Sequence, residues 1–258
     1  MLQIKTMKNK KFGWIPDLPD ARDHLFQMSF DVSQTLPQSI DLSKSMPKIY
    51  DQGKLGSCVS NSLAAAFEYC KIKEGKETFM PARLFMYYNQ RVMIHTVKSD
   101  SGANIRDGIK SLNVQGVCHE TMWPYNVLKF TKKPSKQCYT EALTNQILSY
   151  QRLSNDINQL KTCLYEGFPF VFGFTVYESF MTSIVAKTGI MPMPNFNTEK
   201  VLGGHAICCV GYDDSIKAFK IRNSWGDNWG IGGYFWMPYQ YVSSASLSDD
   251  FWTIRLSE

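Results

Sequence analysis

The sequence predicts an α+β protein of two lobes, with helices gathered in its first half and antiparallel strands in its second. Three observations carry that expectation. Apolar residues recur at helical spacing from Cys58 to Lys73 and again after Pro81, Asn104 and Asp156. From Phe170 onward the texture changes to short runs rich in aromatic and β-branched residues, broken by glycine and aspartate turns. A run of helices followed by a run of strands points to segregated layers and not to an alternating βαβ sheet.

Residues 1 to about 40 are rich in turn formers, as in Phe12-Gly13-Trp14-Ile15-Pro16-Asp17-Leu18-Pro19-Asp20. They read as an extended arm lying on the body, with Phe12, Trp14, Ile15, Leu18 and Phe26 as apolar anchors. The helix that opens at Cys58 is expected to be amphipathic, with Val59, Leu63, Ala66, Phe67 and Cys70 at helical spacing, Ser57 as its cap and Gly75 as its end. A second helix starts at Pro81, a good first-turn residue, and carries Leu84, Phe85 and Tyr88. A third covers 104–112, with Ile105, Ile109 and Leu112 on one face, and another covers 156–166, closed by Gly167. Strands are expected at 170–177, 205–212, 216–223, 233–237 and 251–256, with a hairpin-like turn at Gly211-Tyr212-Asp213-Asp214-Ser215. The chain therefore divides into an N-terminal extension (1–38), a mainly helical lobe (39–150) and a mainly β lobe (151–258), without internal repeats.

At 258 residues, 44% of them apolar, the chain can bury a substantial core. No apolar run approaches the ~20 residues of a membrane span. Residues 1–11 are polar and Lys-rich, without the apolar stretch of about 7–15 residues that a signal peptide needs. A net charge of +5 with no long Lys/Arg block gives no footprint for nucleic acid. The expectation is a soluble protein with neither nucleic acid nor membrane as partner. Seven cysteines are an odd number, and none falls in a CxxC metal knuckle. Cys208 and Cys209 adjoin on an expected strand, so their side chains point to opposite faces. Free thiols in a reducing compartment follow, which suits a cytosolic or viral setting better than a secreted one. Gly230-Ile231-Gly232-Gly233 has no helix behind it and reads as turn glycines, and Cys118-His119 lacks the further ligands a metal needs.

Chemistry concentrates elsewhere. Cys58 ends Gln52-Gly53-Lys54-Leu55-Gly56-Ser57-Cys58 at a helix start, where unpaired backbone N–H groups favour a thiolate. His205, in Gly203-Gly204-His205-Ala206, can serve as imidazolium partner and base. Asn223, in Asn223-Ser224-Trp225-Gly226, offers a side-chain carbonyl to the second imidazole N–H and so fixes the tautomer, with Trp225 shielding that bond from water. Gln52 offers an NH₂ that, with the Cys58 N–H, forms a two-donor hole for an oxyanion.

These motifs, in this order, resemble those of the papain-like cysteine peptidases, the papain and cathepsin family, over nearly all of residues 40–258. Gln52 through Cys58 is similar to the family's spacing of oxyanion glutamine and nucleophile. Gly203-Gly204-His205-Ala206-Ile207 is similar to its histidine motif, most of all that of cathepsin B. Asn223 through Gly230, with Gly233-Tyr234, is similar to its asparagine motif. The resemblance implies a papain-like fold, a helical lobe facing an antiparallel β-barrel-like lobe with the active-site cleft between. It implies a cysteine endopeptidase acting on proteins or peptides through a Cys58 thioester, with no metal or organic cofactor.

The departures matter too. Leu55 removes half of a familiar disulfide, and the family's Cys-Asn-Gly-Gly segment is replaced by Asp100-Ser101-Gly102-Ala103. By analogy the Gly102 backbone pairs with substrate; Gly204 and Trp225 complete the expected substrate-binding set. Phe170, Phe172, Gly173, Gly203 and Gly204 are candidates for lining a specificity pocket. The occluding loop of cathepsin B, with its two adjacent histidines, is absent and His119 stands alone, so an open cleft and endopeptidase action are expected. Papain-like enzymes are commonly made with an inhibitory N-terminal segment. Residues 1–38 are accordingly expected to form a compact pro-segment, an intramolecular inhibitor, or else a permanent strap. Two other functions remain open: a non-catalytic peptide-binding protein on the same scaffold, and acyl transfer to an amine, as in peptide ligation.

Overall fold

The structure, a computed structural model, describes residues 10–27 and 35–256. Its central element is helix α1 (Cys58–Lys73), which is buried without a break over 58–67. The amphipathic helix expected there is instead enclosed on every face. Its polar residues hid this, because small hydroxyls can be buried once bonded. Ser60 donates to Gln90 Oε1 at 2.7 Å and Ser62 donates to the Ala206 carbonyl at 3.0 Å. Ala64, Ala65 and Ala66 let the neighbouring elements approach closely.

Helices α2 (Arg83–Met93) and α3 (Ile105–Val114) pack on one side of α1. The short α4 (Lys136–Ala142) completes the helical half. In the second half, α5 (Ile157–Tyr165) is capped as its sequence suggests, the Asp156 carboxylate accepting from the Gln159 N–H at 2.8 Å. Ser57 does not cap α1. Its hydroxyl pairs with the Tyr125 hydroxyl at 2.5 Å and accepts from Asn61 Nδ2 at 3.2 Å. Two further short helices, α6 (Ser183–Thr188) and α7 (Tyr239–Ser243), lie between strands.

The sheet has seven strands, all antiparallel: β1 (Ser39–Asp41), β2 (Ser149–Leu153), β3 (Phe170–Tyr177), β4 (Val201–Asp213), β5 (Ala218–Arg222), β6 (Tyr234–Pro238) and β7 (Ser248–Arg255). Their order is β2-β7-β3-β4-β5-β6, with β1 beside β4. The β-barrel-like closure expected from the resemblance is not present: the sheet is open, since β2 and β6 do not pair. Irregular chain meets each edge instead, Leu25 bridging to Arg152 of β2 and Ile190 to Trp236 of β6. β1 comes from the helical half of the sequence, so the sheet does not respect the expected division at residue 150.

β4 separates two cores. Alternation along β3 sends Phe170, Phe172 and Phe174 into an aromatic core with Phe180, Trp225, Trp229 and Phe235. Val171 faces the other core, shared with α1. Cys208 lies in one core and Cys209 in the other. All seven cysteines are free and buried. Among the described residues no helix is long and apolar enough to cross a membrane.

Candidate active site

The long strand β4 passes the first turn of α1 and brings Ala206, the neighbour of His205, to Cys58. The Ala206 N–H donates to Cys58 Sγ at 3.4 Å, so the strand segment carrying the imidazole touches the sulfur. On its other side, His205 Nε2 meets Asn223 Oδ1 at 2.9 Å. The Asn223 oxygen also accepts from the Ser224 N–H at 2.8 Å, which fixes the amide orientation. Nε2 is therefore the protonated nitrogen, and Nδ1 is left without a hydrogen-bond partner. Trp225 stacks on the imidazole at 4.9 Å and 27°, covering the His205–Asn223 bond, and both residues are buried.

Gln52 is held from behind. Its N–H donates to the Ser224 carbonyl at 2.9 Å, and its Oε1 accepts from the Ser224 hydroxyl at 2.6 Å. The NH₂ must then face the cleft, where it donates to the Leu55 carbonyl at 2.9 Å and the Lys11 carbonyl at 3.1 Å. Ser224 stood inside the asparagine motif, but its role needed coordinates, since it acts on a residue 172 positions earlier in the chain.

The cleft is not open. The described part of the N-terminal arm lies along it as a strap. Trp14 donates to the Gly204 carbonyl at 2.9 Å, Ala103 donates to the Gly13 carbonyl at 2.8 Å, and Ile15 donates to the Ala103 carbonyl at 3.0 Å, forming a parallel bridge. Gly102 makes room for this approach but does not supply the bonds. Its own N–H donates to the Tyr87 hydroxyl, and a β-carbon there would stand 2.3 Å from the Gly13 carbonyl oxygen. Phe12 covers His205 and Trp225, with ring centroids at 6.1 and 6.3 Å. Lys10 and Lys11 pair with Asp51 and Asp100. Further along, Asp23 forms a fork with Arg106 at 2.6 and 2.8 Å, and Phe26 is buried in the aromatic core. Leu18, expected as an anchor, is 81% exposed. Phe170 and Phe172 face away from the cleft, whereas Gly173 and Gly204 face the Trp14 ring.

The sequence profile of the papain family of cysteine proteases matches residues 36–251. The chain belongs to that family. A peptidase C1-like protein of Acanthamoeba polyphaga mimivirus is 42% identical over 96% of this chain and 87% of its own length. Cathepsin B-like CP2 of Giardia intestinalis is 26% identical over 92% of this chain and 77% of its own length. Among solved structures, xylellain, a cysteine protease from Xylella fastidiosa, superposes with a TM-score of 0.92 at 44% identity, covering 97% of each chain. The papain-like fold, helices against an antiparallel sheet, is thus shared with that protein.

Electrostatics of this papain-family site follow from its cover. Burial pushes the Cys58 thiol up to about 11, although the N–H groups of Ala206, Gly13, Val59 and Cys58 itself oppose the rise. Burial likewise holds His205 down to about 4, against the pull of Asn223, and the Lys10 ammonium adds to the depression. Burial therefore favours the neutral forms of both groups in the covered chain. The cover thus works against the thiolate–imidazolium pair expected from the sequence, because a buried ion pair must offset the desolvation of both partners. No group of three His, Cys, Asp or Glu side chains among the described residues is arranged to hold a metal.

Proposed function

We propose that this papain-family peptidase is a cysteine endopeptidase kept inactive by its own strap, residues 10–27. The observation that carries the reading is the contact of Cys58 with the β4 segment of His205, whose far nitrogen is fixed by Asn223. Once the strap leaves, water and substrate reach the pair and the desolvation that keeps it neutral is relieved. Cys58 sulfur attacks the peptide carbonyl. The oxyanion is held by Gln52 Nε2 and the Cys58 N–H. His205 passes the sulfur's proton to the leaving amine as the C–N bond breaks, giving a thioester on Cys58. Water, deprotonated by His205, then attacks that thioester, releasing the acid and restoring the thiol.

The strap supports the inhibitory reading chemically. The Lys11 carbonyl takes the donor meant for the oxyanion. The Gly13 N–H of the strap also lies toward the Cys58 sulfur. The 26% identity to a Giardia cathepsin B-like protein is no higher than the 28% identity to ananain of Ananas comosus, which favours the papain family as a whole over a cathepsin B-like reading. Seven free thiols and the mimivirus relative favour a reducing setting, cytosol or viral particle.

The test compares the chain with a Cys58→Ala variant on a peptide library, after brief exposure to conditions that release the strap. Cleavage inside long peptides, lost in Cys58→Ala and yielding free carboxylates even with added amines, is expected. Amide products with added amines would point to ligation, and binding without cleavage would point to a non-catalytic scaffold.

A further inference from the structure

Beyond the catalytic residues, the strap rests in a seat for one carboxylate. Asp23 accepts from Arg106 Nε and Nη2 at 2.8 and 2.6 Å, and from Arg152 Nη1 at 3.2 Å. Its two oxygens meet the flat edge of one guanidinium and the tip of a second. Arginine's planar fork matches a carboxylate, and such paired, charge-assisted bonds are the strong ones. The two arginines come from α3 and β2, and both lean on the buried Trp252 of β7, their guanidinium carbons 5.7 and 5.5 Å from its ring. Arg152 is also held from behind, by Asp249 and Asp250 at 3.1 Å. Asp250 in turn accepts from Trp14 Nε1 at 3.0 Å. The seat is therefore fixed by residues of the body and does not need the strap to shape it.

Arg106 carries the unmatched charge. Among the described residues, the three hydrogen bonds of its guanidinium all end on the strap, two on Asp23 and one on the Leu18 carbonyl at 2.7 Å. When the strap leaves, this cation stays on Trp252 without an anion. The adjoining position of Asp17 suits a charge less well. Burial and Asp250 raise that carboxyl to about 7, although the Arg106 N–H and Trp252 Nε1 both point at it.

The backbone beside the fork is open to an extended chain. The Arg152 N–H donates to the His24 carbonyl at 2.7 Å, and the Phe26 N–H donates to the Arg152 carbonyl at 2.8 Å, so the strap lies as a short parallel addition on the edge of β2. A bare strand edge accepts another strand in this way. The reach is also right. Asp17 touches Arg106 and stands four residues from Gly13, so the fork lies within about 14 Å of the chain that covers the sulfur. One bound peptide can span both places.

We infer that Arg106 and Arg152, with the edge of β2, form a secondary substrate site that takes an acidic side chain of an extended protein segment, several residues from the scissile bond. This rests on the peptidase reading and names a substrate class for it.

The test uses the full chain with Gly13→Val, which unseats the strap because a β-carbon at Gly13 would stand 1.8 Å from the Gly56 carbonyl oxygen, and with Asp23→Ala, which vacates the fork. Long internally quenched peptides carry Asp, Asn, Ala or Lys at each position in turn, with amidated and then with free C-termini, and the cleavage sites are read by mass spectrometry. At one position several residues from the cut, Asp is expected to exceed Asn in kcat/KM by roughly tenfold, with Lys the poorest. The gain should lie in KM and not in kcat, because the bond is made equally before and during reaction. Raising the salt to about 1 M should erase most of the ratio. Adding Arg106→Gln should bring the ratio to about one, and Arg152→Gln should lower it by a smaller factor, since Arg152 gives the seat a single bond. The salt series reads the fork even if a variant fails to fold. Asp no better than Asn at every position overturns this inference alone. So does an acid preference untouched by Arg106→Gln, or one seen only with free C-termini. Absence of any cleavage overturns the peptidase reading and this inference with it.

Discussion

Replacing Gly13 by valine in the full chain should raise the rate at which iodoacetamide alkylates Cys58 at pH 7 by roughly two orders of magnitude. The clash is with backbone: the new β-carbon would lie 1.8 Å from the Gly56 oxygen and 2.4 Å from its carbonyl carbon. Neither can rotate away. Forced overpacking of this kind costs about 1–3 kcal/mol. Three backbone bonds to Gly204 and Ala103, each worth about 0.5–1.5 kcal/mol net, hold the strap against this strain, and displacing Gly13 from Gly56 breaks the one its carbonyl accepts from Ala103. The strain and that lost bond together are expected to open the strap. In the covered chain the thiol is held at about 11. At pH 7 only about one sulfur in 10⁴ is then a thiolate, against about 3% for a thiol near its ordinary value of ~8.5. The ratio is roughly 300. The sign follows from the raised value: the difference between the two chains is greatest near neutrality and closes as pH climbs toward 11, where the covered sulfur ionises as well. Mass spectrometry of the Cys58 peptide against time gives the rates, and thermal melting checks that the variant is folded. Equal rates at pH 7 in a folded Gly13→Val chain would falsify the argument that the strap governs the sulfur.

Other consequences can be checked in the same strap-opened background or in the chain itself. Gln52→Ala removes one oxyanion donor and should lower kcat by ~10²–10³ with little change in KM. Ser224→Ala frees the Gln52 amide to rotate and should cost about tenfold in kcat/KM, with melting shifted by only a few degrees; an unaltered rate would mean that packing alone orients the amide. Asp23→Ala leaves Arg106, 8% exposed at its side chain, without its fork, a loss of about 3–5 kcal/mol for a buried pair. Tryptic cleavage after Arg22 should accelerate at least tenfold. Two groups give the strap opposed pH responses. His205 is depressed to about 4 from 6.5, so its support for the covered state is complete above 6.5 and is lost as pH falls toward 4. Asp17 is raised to about 7, chiefly by burial and then by Asp250, so its support is complete below 3.8 and is lost as pH rises through 7. Asp17→Asn removes the second response, and the strap should then open progressively between pH 6.5 and 4, seen as increased acrylamide quenching of tryptophan fluorescence. A quenching profile identical to that of the parent chain would count against the His205 account.

Much of the site was legible without coordinates, because its chemistry is local to motifs. A cysteine at a helix start, a histidine between glycines and small residues, and an asparagine before Ser-Trp each stand out by their neighbours, and the structure places them together. The main helices and five of the strands were legible from period, since burying one face imposes a repeat of 3.6 or 2. The short elements β1, β2, α4, α6 and α7 were not, because three to seven residues hold too few repeats to stand out. α1 misled for a different reason: its serines look like a solvent face but are buried and bonded to Gln90 and to the Ala206 carbonyl.

The sequence alone singled out Cys58, His205 and Asn223 as candidates and gave the order of helices and strands, since each is written in residues close together. Tertiary structure alone decided that the sheet stays open, that the strap seals the cleft and that burial pushes both covered groups toward their neutral forms. It also brought Asp250 beneath Trp14 across most of the chain's length. Those outcomes depend on long-range approach and on the exclusion of water, and neither is encoded in the spacing of neighbouring residues.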